Sequence, residues 1–311
     1  MAVVSVVLLH TFPWMIPGGF IGVDVFFAIS GFMITRIILR GTATGTFGFR
    51  DFYARRARRI FPSLIVVLAS VYVIGWLTLL QVEFAQLGKH IAAGVLFVAN
   101  FALWREAGYL DVDSRAKPLT HLWSLGIEEQ FYIVWLFVIW RLAKSETLVK
   151  GADLPMGAVS FVACIAQTSS SSAGLYYSPL TRFWELMIRS LLAMFGGELL
   201  ARIRWRTIVP SIGVTMIVIA LATIDASSPF PSRNALLPTI GTALIIRGGA
   251  SNPVACLQSN KVLVWVGLIS YPLYLWHRPS LVIARIVAGT TPTPQVRTTI
   301  DVLSFDPAAV T

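Results

Sequence analysis

Charged residues are scarce in this chain. Of its 311 residues, 13% are charged and 56% are hydrophobic, and the mean hydropathy is +0.74. Soluble domains carry roughly 25% charged residues. The shortage excludes a sizeable soluble domain and indicates a membrane protein, in which spans of about 20 apolar residues leave room for about ten crossings with short loops.

Cysteine is almost absent as well. Cys164 lies in an apolar stretch and Cys256 in a loop, which excludes a disulfide framework and gives no metal-ligand pattern. We therefore predict no metal site. A permanently bound cofactor is not predicted either. The start, MAVVSVVLLHTF, has no basic segment and no small-residue cleavage site, so it is interpreted as a first span rather than a signal peptide.

The charge that is present is mostly basic. The chain holds 25 Lys and Arg against 15 Asp and Glu, a net charge of +10. Because membrane proteins collect Lys and Arg in cytoplasmic loops, we interpret the excess as topology and predict no nucleic-acid partner. Three basic segments are predicted to be cytoplasmic: Arg50 to Arg59, Arg141 to Lys150, and Arg202 to Arg206.

Hydropathy predicts an all-α, polytopic membrane bundle of about nine to ten helices over residues 1–285. Residues 286–311 form a polar tail, truncated or divergent, that cannot span. Three windows separate the first two basic segments, so the shortest, 91–104, is predicted not to cross, which puts loop 105–121 outside. The stronger windows are 20–39, 61–82, 118–140 and 207–224, and the weaker ones are 1–16, 154–175, 183–201, 234–246 and 262–284.

Polar residues inside apolar segments point to function, because an ionisable group at membrane depth is costly. In PLTHLWSLGIEEQFY, residues 118–132, the side chains of His121, Ser124, Glu128 and Tyr132 share one helical face, and Glu129 is rotated from it by about 100°. Such a stripe suits proton transfer or the binding of substrate hydroxyls. The alternative is a structural hydrogen-bond network between helices.

Asp24 is the one acid in GGFIGVDVFFAISGFMIT, residues 18–35, and it needs a partner. His10, on the preceding span, is predicted to be that partner, since a carboxylate can fix the tautomer of an imidazole and raise its basicity. A structural His-Asp pair is the alternative. In the same segment Gly18 and Gly22 predict the close approach of another helix.

Two further segments combine polar and aromatic residues. In FGFRDFYARRARRIFP, residues 47–62, the arginines gather on one face of an amphipathic helix, which suits either an anchor on anionic lipid or the capture of a phosphorylated substrate. In GLISYPLYLWHRP, residues 267–279, Tyr274 and His277 share a polar face, with an aromatic belt as the alternative. The remaining histidine, His90, is predicted to lie in a loop.

Together these segments resemble acyltransferase family 3, the integral-membrane O-acyltransferases that acetylate bacterial surface polysaccharides. The resemblance implies a bundle of about ten helices in the bacterial inner membrane. It also implies acyl-CoA, most simply acetyl-CoA, as the cytoplasmic donor and a hydroxyl of an extracytoplasmic glycan as the acceptor. Six blocks carry it in order from residue 2 to about residue 285: VVSVVLLH, GGFIGVDVFFAISGFMIT, YARRARRIFP, PLTHLWSLGIEEQFY, TRFWEL at 181–186, and ISYPLYLWHRP.

The resemblance also implies residue roles. His10 corresponds to a histidine proposed to act in the transfer, either as a base that Asp24 orients or as a transient acyl carrier. Family members carry an arginine eleven residues before that histidine, and this chain begins too late to include it. The predicted catalytic residues are His10, Asp24, Glu128, Glu129 and Tyr132; the donor phosphates are assigned to Arg55, Arg56, Arg58 and Arg59, and the acceptor to His121, Ser124, Tyr274 and His277.

Two other functions fit the residues. A transporter or exporter also places His and Glu in its spans, although it predicts internal repeats and broken helices that this sequence does not show. Family members also continue through another span, whereas the resemblance here ends near residue 285. An inactive, truncated member of the acyltransferase family would account for the missing arginine and for the absence of that span.

Overall fold

The computed structural model describes residues 2–107, 116–142, 146–168, 172–194, 203–225, 227–249, 252–290 and 292–300. Within these ranges the regular secondary structure is entirely helical, as predicted. Glu198, a predicted polar residue of the window 183–201, and Lys144 and Arg202, of the predicted basic segments, lie outside these ranges. The α-helices are α1 Ala2–Thr11, α2 Gly22–Ala43, α3 Phe49–Thr78, α4 Gln81–Val95, α5 Ala99–Glu106, α6 Leu122–Leu142, α7 Glu146–Gln167, α8 Ser172–Tyr177, α9 Pro179–Met194, α10 Ile203–Thr223, α11 Leu236–Arg247, α12 Pro253–Gln258, α13 Lys261–Leu268 and α14 Ser270–Ala288, with 3₁₀ turns at Gly19–Ile21 and Arg233–Ala235.

Three helical segments are long and apolar enough to cross a membrane: Gly19–Ala43, Phe49–Thr78 and Leu122–Leu142. They confirm the windows 20–39, 61–82 and 118–140. Shorter apolar helices occupy Ala2–Thr11, Gly151–Gln167 and Thr207–Thr223. The chain is thus a membrane protein with three candidate spans among its described residues. That these segments cross, and how many crossings there are in all, stay predictions.

The apolar run 91–104 is divided between two helices. α4 has 15 residues and α5 has 8, and at 1.5 Å per residue neither reaches across a hydrocarbon core of about 30 Å. Gln130 of α6 stabilises the break between them, because its Nε2 donates to the Phe97 carbonyl at 2.8 Å and to Asn100 Oδ1 at 2.9 Å. The two short helices agree with the prediction that residues 91–104 do not cross the membrane. The side of the membrane on which loop 105–121 lies stays a prediction.

Aromatic contacts show how the long helices run. The ring of Phe27 in α2 lies 6.0 Å from that of Trp123 in α6, and further along Trp135 Nε1 donates to Thr35 Oγ1 at 2.8 Å. α2 and α6 are therefore parallel. We call the end where α2 and α6 begin the first end of the bundle, and the end where α3 begins the second end, since Phe49 contacts Trp140 near the end of α6.

The two glycines before and at the start of α2 permit two close helix contacts. A methyl group on Gly18 would lie 2.8 Å from the backbone oxygen of Ala220 in α10, and one on Gly22 would collide with the backbone oxygen of Ala2 in α1. The predicted close approach is confirmed, although each glycine contacts a different helix. These contacts bring α1, which carries His10, against α2.

Candidate active site

Three of the four histidines in the chain meet near the first end of the bundle. His10 is in the last turn of α1, His277 lies mid-way along α14, and His121 immediately precedes α6. The His277 ring lies 5.2 Å from that of His10 and 5.8 Å from that of His121. We call these three residues the histidine cluster. The sequence predicted a role for each of them, and the fold brings them together.

Hydrogen bonds define the tautomers of two of these rings. His277 Nδ1 lies 2.8 Å from the Tyr274 carbonyl, which only accepts, so Nδ1 carries the proton. His277 Nε2 is then an acceptor for His10 Nδ1 at 3.2 Å. That leaves His10 Nε2 to accept from Arg278 Nη1 at 2.8 Å. This assignment, inferred from the network, makes His10 neutral with its lone pair on Nε2.

His121 presents a different arrangement. Only 4% of it is exposed, and neither ring nitrogen has a hydrogen-bond partner among the described residues. Tyr274 holds its backbone instead, since the hydroxyl donates to the His121 carbonyl at 2.8 Å and lies 2.7 Å from Ser124 Oγ. A buried polar group without a partner costs roughly 1–3 kcal/mol, so a bound hydroxyl group would stabilise this ring.

The predicted hydrogen bond between His10 and Asp24 is wrong. Asp24 Oδ1 accepts from Arg182 Nη1 of α9 at 2.9 Å, and the same Nη1 donates to Glu185 Oε1 at 3.1 Å. A guanidinium forms a charge-assisted bond with a carboxylate, which is stronger than the neutral bond an imidazole offers. Asp24 therefore connects α2 to α9, and His10 obtains its partners from α14.

A second polar cluster lies between α3 and α6, closer to the second end than the histidine cluster is. Arg56 Nε donates to Glu129 Oε1 at 2.6 Å, and Arg56 Nη2 lies 3.4 Å from Glu128 Oε1. The Tyr132 hydroxyl donates to Glu128, as their spacing predicted, and the guanidinium stacks 3.8 Å from the Tyr132 ring centroid. We call Arg56, Glu128, Glu129 and Tyr132 the arginine-glutamate cluster.

Arg56 differs in position from the other predicted donor-binding arginines. Arg55, Arg58 and Arg59 are exposed at the second end, whereas Arg56 is only partly exposed and turns toward the carboxylates. In this arrangement Glu129 and Glu128 accept from its Nε and Nη2. The three exposed arginines remain open to a phosphorylated ligand.

Two cavities flank the arginine-glutamate cluster. One has a volume of about 390 Å³ and is lined by Tyr53, Arg56, Glu129 and Gln130 together with apolar side chains. The other is smaller, about 30 Å³, and its polar lining includes Glu128, Ser124 and Tyr274. The cluster thus separates a larger cavity from a smaller one that continues toward the histidine cluster.

The sequence did not predict a role for Arg278 or Arg182, and the predicted position of His90 is wrong. Arg278 follows His277 directly, and that adjacency was the available signal. Arg182 lies three residues before Glu185 in an apolar stretch, a spacing typical of a helical ion pair. His90 is not in a loop: it is buried in α4, where Nε2 bonds Glu106 at 2.9 Å, and Lys117 Nζ bonds the same carboxylate at 2.9 Å.

These features agree with the family comparison. The sequence profile described as "Acyltransferase domain", of acyltransferase family 3, matches residues 1–303. The chain belongs to this family of membrane acyltransferases.

Its relatives include named O-acetyltransferases. YrhL of Bacillus subtilis, which carries a provisional name as a peptidoglycan O-acetyltransferase, is 31% identical over 306 residues, or 92% of this chain and 48% of the relative. The peptidoglycan O-acetyltransferase OatA of Listeria monocytogenes is 30% identical over 95% of this chain and 49% of its own. An uncharacterised Haemophilus influenzae protein is 30% identical over 74% of this chain and 99% of its own.

The chain spans about half the length of the first two relatives. No solved structure matches it.

Proposed function

We propose that this chain transfers an acyl group, most simply acetyl, from acyl-CoA on the cytoplasmic side of the bacterial inner membrane to a hydroxyl of an extracytoplasmic cell-envelope glycan. Peptidoglycan is the favoured acceptor, because two similar proteins are named for its O-acetylation. The family and the arrangement of polar groups along the bundle support this proposal.

The observation that carries it is a row of two hydrogen-bonded polar groups, the arginine-glutamate cluster and the set formed by Ser124, Tyr274 and His121, which are joined by a small cavity that both of them line. From the second end, the row runs through Arg56 and Glu129 to Glu128. It continues along the small cavity to Ser124 and Tyr274, and then to the histidine cluster. Buried polar groups inside a membrane bundle are costly, and a reaction that begins on one side and ends on the other gives them a use.

The exposed arginines of the second end suit the donor. Guanidinium groups bind phosphate bidentately, and coenzyme A carries several phosphates. Because dense Lys and Arg mark cytoplasmic loops, the second end would face the cytoplasm. The larger cavity beside Arg56 then provides an entry for the acyl-bearing arm of the donor.

His10 is the proposed chemical centre. With its lone pair on Nε2 it can take the proton of the acceptor hydroxyl as that oxygen attacks the acyl carbonyl. The same nitrogen can instead attack the carbonyl itself and carry the acyl group to the acceptor. His121, whose ring nitrogens have no partner among the described residues, is the proposed contact for the acceptor hydroxyl.

The test is the O-acetyl content of the peptidoglycan and other surface glycans, measured by NMR, in a strain deleted for this gene. The strain is complemented with the unsubstituted chain or with His10→Ala, with equal amounts of each protein in the membrane. We expect acetyl groups to return with the unsubstituted chain, and His10→Ala to lower the transfer rate by about 10²–10⁴-fold, the usual contribution of a general base. No return of acetyl groups with membrane-inserted, unsubstituted protein would contradict the proposed function.

A further inference from the structure

The contact between Arg278 and His10 has a chemical use beyond holding α1 against α14. Arg278 Nη1 donates to His10 Nε2 at 2.8 Å. A guanidinium only donates and stays charged. Its N–H therefore points at the nitrogen that must accept a proton or an acyl group in the proposed transfer.

We propose that Arg278 is a catalytic residue that stabilises the oxyanion formed during acyl transfer at His10. The inference rests on the proposed function and adds one residue to its machinery. In the present arrangement the guanidinium occupies His10 Nε2. When both substrates are bound, the acceptor hydroxyl takes the place of Arg278 at Nε2, and the acyl carbonyl oxygen accepts the released N–H.

The step balances on either route. On the direct route, the acceptor oxygen bonds to the acyl carbon, its proton moves to His10 Nε2, and the carbonyl electron pair moves onto oxygen as an oxyanion. The carbon-sulfur bond then breaks, and the departing thiolate takes the proton from His10. On the covalent route, Nε2 attacks the acyl carbon first and the carbon-sulfur bond breaks, which releases coenzyme A as its thiolate. The acceptor oxygen then attacks the same carbon, the bond from that carbon to Nε2 breaks, and the acceptor proton passes to the freed Nε2 and from there to the thiolate. Both attacks form an oxyanion at the same carbonyl. Arg278 serves both routes.

The other polar groups near His10 form hydrogen bonds elsewhere and are not placed to stabilise an oxyanion at its Nε2. His277 holds His10 Nδ1 and the Tyr274 carbonyl, and the Tyr274 hydroxyl is used by His121 and Ser124. Among the described residues, Arg278 is the permanently charged group bonded to His10. A preorganised positive charge at a developing oxyanion is the commonest large contribution to such catalysis.

The experiment compares Arg278→Gln and Arg278→Lys with a matched control, Arg285→Gln, which removes the same charge two turns later in α14. Each full-length variant is reconstituted in proteoliposomes and assayed with varied acetyl-CoA. The acceptors are a soluble chitooligosaccharide and isolated peptidoglycan strands. We expect Arg278→Gln to lower kcat by roughly 10²-fold or more, the usual loss for one oxyanion donor, with KM for acetyl-CoA changed by less than about threefold. The kcat of Arg278→Lys should lie between that of Arg278→Gln and that of the unsubstituted chain, because lysine keeps the charge without the planar fork of the guanidinium.

Two further measurements separate chemistry from folding. Added guanidinium should restore part of the kcat of Arg278→Ala and none of that of His10→Ala, which a structural defect would not allow. Carbethoxylation of His10 by diethylpyrocarbonate should be faster in Arg278→Gln than in Arg285→Gln, because Nε2 is uncovered.

The outcomes are distinct. Activity of Arg278→Gln equal to that of Arg285→Gln, in an unsubstituted chain that transfers acetyl, would overturn the role of Arg278 and leave the proposed function in place. An absence of guanidinium rescue, together with unchanged carbethoxylation, would overturn it as well. An inactive unsubstituted chain would overturn the proposed function and this inference with it.

Discussion

Arg182 and Arg278 each donate a hydrogen bond to a side chain of another helix, and the two partners differ in charge. Arg182 donates to the carboxylates of Asp24 and Glu185 and is 1% exposed. Arg278 donates to the neutral ring of His10. The first guanidinium has its charge compensated and cross-links α2 and α9. The second donates to His10, the proposed chemical centre.

The comparison shows why an acid near a histidine in sequence does not make a catalytic pair. Asp24 was assigned to His10 because the two lie one short loop apart, and a buried carboxylate needs a partner. Arg182, which lies 158 residues away in the chain, satisfies that need. The partners of Asp24 and His10 are therefore set by the tertiary structure, and the spacing of these residues in the sequence does not reveal them.

Of the substitutions that test this comparison, Arg182→Met should have the largest effect on stability. The substitution leaves Asp24 and Glu185 buried without their cation, and breaking such a pair from one side costs about 3–5 kcal/mol. We expect a large drop in Tm in detergent and little folded protein in the membrane. The triple variant Arg182→Met, Asp24→Asn, Glu185→Gln should recover much of the Tm, since no charge is left uncompensated.

Asp24→Asn alone is the control. Arg182 and Glu185 remain as a pair of opposite charges, so we expect a much smaller change in Tm and normal acetyl transfer per folded molecule. A loss of kcat in Asp24→Asn at normal Tm would break the comparison, because it would return Asp24 to the chemistry of His10.

Most of the secondary structure of the site could be predicted from the sequence. Few of the side-chain contacts between helices could be. The helical face that holds Glu128 and Tyr132 follows from local spacing, and their hydrogen bond confirms it. The contact of His10 with His277 joins positions 267 residues apart, and no periodicity encodes such a distance. The resemblance to a family selected these residues, and the fold shows which of them touch.

A second substitution extends the comparison to the arginine-glutamate cluster. Arg56→Gln leaves Glu128 and Glu129 facing each other without their cation, so we expect a loss of roughly 1–3 kcal/mol of stability, the cost of unsatisfied buried polar groups. Thermal unfolding in detergent measures it. Arg58→Gln, at an exposed arginine one half-turn along the same helix, is the matched control and should leave Tm unchanged. Equal changes in both variants would mean that Arg56 does not hold α3 to α6.

The exposed arginines should act on donor binding rather than on stability. In the triple variant Arg55→Gln, Arg58→Gln, Arg59→Gln we expect KM for acetyl-CoA to rise about tenfold, with kcat nearly constant, because uniform binding is lost. The KM of the unsubstituted chain should rise with salt, since exposed charges are screened over about 10 Å at 0.1 M. The triple variant should lose most of that salt dependence.

The control for the triple variant is Arg233→Gln. Arg233 is exposed, and it lies near the first end, where the neighbouring Phe230 contacts Phe20. If Arg233→Gln raises KM as much as the triple variant does, general surface charge would explain donor binding better than a site at the second end.

The smallest effect is expected at Glu106, where His90 and Lys117 meet. Burial disfavours the charge of this carboxylate, but the hydrogen bonds from Lys117 and His90 outweigh it and hold the pKa of Glu106 below its ordinary value. A carboxylate with a lowered pKa stabilises the fold above its unfolded pKa, and that stabilisation is lost as the pH falls through the lowered value. Because the group is partly exposed, the contribution is at most about 1 kcal/mol. Thermal unfolding of the unsubstituted chain and of Glu106→Gln between pH 6 and pH 3.5 should therefore give two Tm curves that converge at the acid end. Asp51→Asn, which removes an exposed carboxylate near the start of α3, should follow the unsubstituted chain. Curves of Glu106→Gln and the unsubstituted chain that stay parallel would show that the charge of Glu106 contributes nothing to stability.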